Sequence, residues 1–223
     1  MMRTAAISLL TALLLSGCVS VNSDIEVGDG QTVDGSLNTI NGSVSVGTES
    51  VVDGNAKTVN GSISVGPRTV IGDIETVNGK VTLGAGATSE SIEAINGSVE
   101  IGEDAEVSGR VETVNGRVLV GRNAVVDGLV ESVNGQIRLQ GATVGSLKNV
   151  RGGMVLEAGS RVLGELRVVR SRSGEGSDSV LVEIHADSEV AGPLVFERPV
   201  RLRIHESAEV GEIQGAEPEY FSG

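Results

Sequence analysis

From Gly28 onward, short runs of alternating apolar and polar residues break at glycines, and the same pattern returns every 18 or 19 residues. Alternation over short runs is typical of β-strands with one buried face. In one unit, Val107, Val114 and Val120 begin three segments of seven, six and six residues, and Val118 and Val120 point the same way. A constant period of this length indicates a repeat architecture, in which each unit packs on the next.

The dipeptide Asn-Gly marks one corner of the repeat. It recurs at spacings of 19, 18, 18, 19 and 19, each time after a Val or Ile, at Asn41, Asn60, Asn78, Asn96, Asn115 and Asn134. We expect Asn here because it tolerates a left-handed backbone better than most residues, and Gly because it adopts such a backbone without strain. Stacked Asn side chains are also expected to hydrogen-bond from one rung to the next.

Two all-β folds fit this marker. Asn-Gly between β-type residues is a strong signal for a tight hairpin, so six separate hairpins are one option. Independent hairpins have no reason to keep a constant period, which favours the other option. The sequence therefore predicts a single-stranded, three-sided β-solenoid (β-helix) over 29–215, with about nine rungs of 18–20 residues and a length of roughly 40–45 Å.

The C-terminal third contains a break and all of the aromatic residues. Residues 170–179 include no large apolar side chain and are predicted to form a loop, and 216–223 are predicted to be a tail. The chain has no Trp, one Tyr and two Phe, namely Phe196, Tyr220 and Phe221. They are expected either to cap the last rung or to form a contact with another molecule, since the ends of a solenoid are unpaired.

The N-terminus has the features of an export signal. Arg3 precedes an apolar stretch over 5–15, which is too short to span a bilayer but suits a signal peptide. The run ends in Leu-Ser-Gly-Cys18, which resembles the lipobox of bacterial lipoproteins; an ordinary signal peptide with an incidental Cys is the alternative. The resemblance implies a signal peptide over 1–17, a triacylated Cys18 and a short tether over 18–28. Val19 at the position after the Cys, where Asp favours retention in the inner membrane, implies an outer-membrane protein facing the periplasm.

Charge and composition exclude several classes of function. The chain carries 30 Asp and Glu against 17 Lys and Arg, a net charge of −13, which argues against nucleic acids and anionic lipid surfaces as partners. A single Cys excludes an internal disulfide and a multi-Cys metal site. His185 and His205 occupy equivalent repeat positions and are expected to be wall residues. We therefore predict no catalytic residue, no metal site and no cofactor.

One acidic column has two interpretations. Glu75, Glu93, Glu112 and Glu131 recur at equivalent positions, and in a solenoid they would stack at about 4.8 Å. Such a column is either a solvated face that keeps the rod soluble or a weak strip for divalent cations. The second interpretation predicts that millimolar Ca²⁺ or Mg²⁺ raises the melting temperature.

The segment Val99–Val111 resembles the repeat of bactofilins, which are polymer-forming cytoskeletal proteins of bacteria. The resemblance implies a right-handed, three-sided β-helix that assembles end to end without nucleotide. A second resemblance, at 101–106, is to hexapeptide-repeat acyltransferases, which are left-handed and need a His general base. Together these features predict a lipid-anchored envelope protein with a structural or scaffold role, which associates with itself or with an envelope protein. A surface binding module or adhesin is the alternative, and an acyltransferase is a more distant one.

Overall fold

The computed structural model describes residues 14–16, 18–170 and 179–222. Within these residues every regular element is a β-strand, and every strand pairs in parallel with the equivalent strand of a neighbouring turn. The predicted β-solenoid is confirmed, with about ten turns where about nine were expected. In these ranges no helix is long and apolar enough to cross a membrane. The rest of the predicted signal peptide (1–13 and 17) and most of the predicted loop (171–178) lie outside the described residues.

The solenoid has three walls. Wall 1 is an 11-stranded sheet in the described ranges. Its strands are Ile25–Val27, Val44–Val46, Ile63–Val65, Val81–Leu83, Val99–Ile101, Val118–Val120, Ile137–Gln140, Met154–Glu157, Val180–Ile184, Val200–His205 and Pro218–Phe221.

Walls 2 and 3 share two long strands, Val125–Ser132 and Thr143–Asn149, which run through the corner between them. The other strands of wall 2 are Leu14–Ser16, Thr32–Asp34, Val51–Asp53, Val70–Ile71, Thr88–Ser89, Glu106–Val107, Arg161–Val162, Glu189–Val190 and Glu209–Val210. The other strands of wall 3 are Leu37–Thr39, Ala56–Asn60, Ile74–Asn78, Ile92–Asn96, Val111–Thr113, Leu166–Val168, Leu194–Phe196 and Ile213–Gln214.

The core is a triangular stack of aliphatic side chains. Inward positions lie two residues apart in each strand: Val118 and Val120 are fully buried and pair with Ile137 and Leu139 of the next turn. Along the interior, Val, Ile, Leu and Ala predominate, and Phe196 is the large exception. A turn of 18 to 20 residues encloses little space, so the near absence of aromatics in the sequence matches the narrow interior.

The expected left-handed backbone at the Asn-Gly corner is wrong. None of the six predicted Asn residues has a positive φ, nor do the Gly residues that follow them. Most left-handed residues lie instead at the corner between walls 1 and 2, as at Glu49, Arg68 and Asp104. At the corner between walls 3 and 1, Gly215 in the last turn has a positive φ. Gly is needed at the Asn-Gly corner because the backbones approach closely: a Cβ on Gly61 would lie 1.9 Å from the carbonyl oxygen of Gly42.

The stacked strands extend beyond 29–215 at both ends. In the segment predicted as a tether, Val19 pairs with Asn38, and Ile25–Val27 is the first strand of wall 1. The segment predicted as a tail contributes Pro218–Phe221 to the same wall. Upstream of Cys18, Leu14–Ser16 pairs with Thr32–Asp34.

Candidate functional site

Wall 3 and its corner with wall 1 carry the most regular surface of the protein. In the strand Ile74–Asn78, Ile74 and Thr76 point inward and are buried, while Glu75 and Val77 point outward. The same alternation repeats on successive turns, since Glu75 pairs with Glu93 and Asn78 with Asn96. The outer surface therefore has one charged column, one apolar column and, at the corner, one column of Asn.

The predicted Glu column exists, and cations flank it. Glu75, Glu93, Glu112 and Glu131 are in direct register. The Lys57 ammonium lies 2.7 Å from Glu75, Lys148 lies 2.9 Å from Glu131, and Arg110 pairs with both Glu93 and Glu112. Three cations thus balance most of the charge of four carboxylates, which is the arrangement expected of a solvated face.

The ion pairs also raise the pKa values of the cations. The hydrogen bond to Glu75 raises the pKa of Lys57 above its usual value, and the hydrogen bond to Glu93 does the same for Arg110. The pKa of Arg167, which lies on a later turn of the same wall, is raised mainly by its hydrogen bond to Glu165. All three side chains therefore remain protonated at any physiological pH.

The apolar column, which we call the Val/Ile ladder, is a feature that the sequence analysis missed. Ile40, Val59, Ile95 and Val114 are 46 %, 41 %, 46 % and 39 % exposed. The ladder consists of Val21, Ile40, Val59, Val77, Ile95, Val114, Val133 and Val150. The position of Val114 two residues after Glu112, with the buried Thr113 between them, is the signal that identifies it as outward-facing.

Beside the ladder, the Asn residues form a continuous chain of hydrogen bonds. The side-chain amide of Asn96 donates to Asn78 at 2.9 Å, and that of Asn115 donates to Asn96 at 2.7 Å. All six predicted residues take part, and Asn22 extends the chain by one turn. We call this column the Asn ladder. Each of the six predicted carboxamides has two N–H groups and donates one of them to the neighbouring Asn, so the other is available to a partner or to water.

A second polar column lies inside the same corner. The hydroxyl groups of Thr58, Thr76 and Thr113 donate to Gly carbonyl oxygens at 2.8, 3.0 and 2.9 Å. Within the described ranges, no buried side-chain nitrogen or oxygen lacks a partner. The Thr hydroxyl groups therefore bind the carbonyl oxygens of the closely stacked glycines from inside the corner.

The charged column and the Val/Ile ladder border shallow depressions on wall 3. One, of about 340 Å³, lies between Lys57 and Glu75 on one side and Val59 and Val77 on the other. Another, of about 200 Å³, lies between Glu112 and Val114. Both are open to solvent and follow the long axis of the rod. Their shape suits an elongated partner better than an enclosed small molecule.

His185 and His205 lie on neighbouring turns, as expected, and both contact Phe221. The ring of Phe221 meets the two imidazoles edge to face, at centroid distances of 5.7 and 5.3 Å. His205 Nδ1 also lies within hydrogen-bond distance of the Ser207 hydroxyl, at 3.0 Å. In residues 18–170 and 179–222, no three His, Cys, Asp or Glu side chains are grouped as a metal ion requires.

The three aromatic residues occupy two different environments. Phe196 is 5 % exposed and belongs to the core. Tyr220 stacks in register on Ile204 and is 64 % exposed, and the guanidinium of Arg203 lies 4.8 Å from the centre of the Phe221 ring. The last strand thus covers the preceding turn while leaving one aromatic surface in solvent.

Cys18 lies at the other end of the rod and is exposed. Its backbone carbonyl oxygen accepts a hydrogen bond from the backbone N–H of Asn38 at 2.8 Å, and the backbone N–H of Ser20 donates to the backbone carbonyl oxygen of Asn38 at 2.8 Å. The residues after Cys18 are therefore held on wall 3 from the first turn. Comparison with protein-family models, with curated proteins and with solved structures gave no match.

Proposed function

We propose that this protein is a lipid-anchored β-solenoid of the bacterial cell envelope with a structural or scaffold role. The observation that carries the proposal is the position of Cys18. It is the last residue of a lipobox-like Leu-Ser-Gly-Cys and is exposed in the first turn of the solenoid. Acyl chains on this residue would anchor the N-terminal end firmly, because each buried CH₂ group contributes about 0.8 kcal/mol.

The surface supports a structural role. The outward columns of wall 3 consist of ion pairs, Asn amides and aliphatic side chains, and the two His residues are engaged with Phe221. We propose that association with a second copy or an envelope protein uses this surface or the ends. At the C-terminal end, Val210 and Ile213 are partly buried and Tyr220 is exposed.

The anchor is tested by producing the full chain in a Gram-negative host, with Cys18→Ser as the control. We expect labelled palmitate in the native chain and none in the variant, and recovery of the native chain in the outer-membrane fraction. An unprocessed or unlabelled native chain would overturn the proposal.

Self-association is tested on the lipid-free protein by negative-stain microscopy and analytical ultracentrifugation. Concentration-dependent filaments would indicate assembly through the ends. A monodisperse rod of about 4 nm would rule out filament formation and direct attention to the walls.

A further inference from the structure

We propose that the Val/Ile ladder is the contact surface between two copies of this chain, packed side by side with the same polarity. The two copies would be related by a two-fold axis parallel to the long axis of the rod. The shared polarity rests on the proposed lipid anchor, because proteins attached to one membrane through the same end all point in the same direction.

The ladder is more than a by-product of strand propensity. On wall 2 the outward residues Val51 and Val70 are also exposed, but the column continues with Thr88 and Glu106. On wall 3 each of the eight ladder turns carries Val or Ile, and Val169 occupies the same position on the next turn. Five of its members are 39–56 % exposed, and Val77, Val133 and Val150 are half-buried. A contiguous apolar strip that solvent can reach marks an interaction site.

The geometry of the strip specifies its partner. The ladder presents one aliphatic side chain on each turn, about every 4.8 Å over about 34 Å. A matching surface must be equally long and apolar and must have the same repeat. A second copy meets all three conditions, because a two-fold axis along the ladder brings each residue opposite its own equivalent.

Charge favours the parallel arrangement over the antiparallel one. With the two-fold axis along the ladder, the Glu column of one copy lies outside the seam, beside the Asn ladder of its partner. The spare Asn N–H groups can then donate to the partner's carboxylates. An antiparallel pair with the ladders in contact would lay each Glu column, with its Lys and Arg partners, over the other Glu column, and would leave the two columns of Asn facing each other without carboxylate acceptors.

The buried area indicates a weak pair. A contact about 34 Å long and five residues wide, about 16 Å, covers about 550 Å² per copy and about 1,100 Å² in total. This lies at the lower end of the range for specific interfaces. Membrane attachment raises the effective concentration and fixes the polarity, so a contact that is weak in solution becomes populated on a membrane.

The test uses disulfide cross-linking of the full, membrane-anchored chain. Cys18 is the only native thiol, and lipidation converts it to a thioether, so an introduced Cys is the only reactive one. We expect Ile40→Cys, Val77→Cys and Val114→Cys each to form a disulfide-linked dimer on mild oxidation. Val70→Cys, at a residue 49 % exposed on wall 2, is the matched control and should remain monomeric.

The pattern of cross-links separates the outcomes. Dimers at all three levels support the parallel pair, whereas a dimer at one level alone, or equal cross-linking at Val70→Cys, overturns it. Adding Val114→Glu to the Val77→Cys chain should reduce its cross-linking at least tenfold, whereas adding Val70→Glu should not.

Mass spectrometry of the N-terminal peptide distinguishes failure of the anchor from failure of the pair. A lipidated Cys18 without cross-links overturns the pairing and leaves the anchor in place. If Cys18 is unmodified, the same variants are tested at high concentration in a Cys18→Ser background. Cross-links at all three levels there support the pairing without the anchor, and their absence overturns it.

Discussion

Gly116 stacks so closely on Gly97 that a Cβ on Gly116 would lie 1.9 Å from the Gly97 carbonyl oxygen. No side-chain rotation relieves this contact, because the positions of the Cβ and of the carbonyl oxygen are both fixed by the backbone. We expect Gly116→Ala to lower the free energy of unfolding by about 3 kcal/mol, since the turns must separate. The urea midpoint followed by circular dichroism measures the effect.

Gly30→Ala is the matched control for backbone conformation. Gly30 has a φ of +65° and no neighbouring atom within 4 Å of its Cβ position. This variant should lose only about 1 kcal/mol, the cost of a left-handed Ala. Equal midpoints for the two variants would contradict the close-approach explanation.

The Asn ladder predicts a position-dependent loss of stability. Asn96→Ala removes one donated and one accepted hydrogen bond, which together contribute about 1–2 kcal/mol. Asn22→Ala, at the end of the ladder, removes the one accepted from Asn41 and should cost about half as much. Thermal melts of both variants test this, and identical losses would show that the ladder does not contribute bond by bond.

The contribution of Lys57 to the free energy of unfolding is expected to be lost at alkaline pH. Its hydrogen bond to Glu75 raises its pKa above 10.5, so the pair stabilises the fold while Lys57 is charged. Because both side chains are more than 40 % exposed, Lys57→Gln should cost only about 0.5 kcal/mol at pH 7. That difference from the native protein should disappear as the pH rises above 10.5 through the raised pKa. Lys57→Arg keeps its charge in this range and should not show the alkaline loss; a pH-independent deficit of Lys57→Gln would contradict the ion-pair explanation.

The last strand is expected to protect the strand beside it from amide hydrogen exchange. Deleting Ala216–Gly223 removes Pro218–Phe221 from Val200–His205 and uncovers the fully buried Ile204. We expect faster amide hydrogen exchange in Val200–His205 and a lower melting temperature, with unchanged exchange in Val81–Leu83. Unchanged exchange next to the deletion, with loss of self-association, would show that the segment serves as a contact and not as a cap.

The fold could be predicted from the sequence because every turn of a solenoid repeats the same local pattern of apolar, polar and corner residues. The period, the alternation at Val118 and Val120, and the register of the Glu column all follow from the spacing of residues along the chain. These features need no knowledge of distant contacts beyond the stacking of one turn on the next.

Besides the Val/Ile ladder and the strand Ile25–Val27, two features were not predicted from the sequence, for different reasons. Gly at the Asn-Gly corner has two physical explanations, positive φ and close approach, and composition does not separate them. The strand Pro218–Phe221 lacks the repeat's Gly and Val markers, and it forms because the turn below offers an unpaired edge. Both depend on neighbouring turns, which one repeat unit does not reveal.

Direct stacking of Asn78 on Asn96 makes the length of the rod an adjustable quantity. Removing residues 79–96 would join Asn78 to Gly97, so every column would continue without a break and the rod would shorten by about 4.8 Å. Inserting a copy of the same 18 residues would lengthen it equally. If the proposed lipid anchor holds one end of the rod, the number of repeats sets how far the other end stands from the membrane.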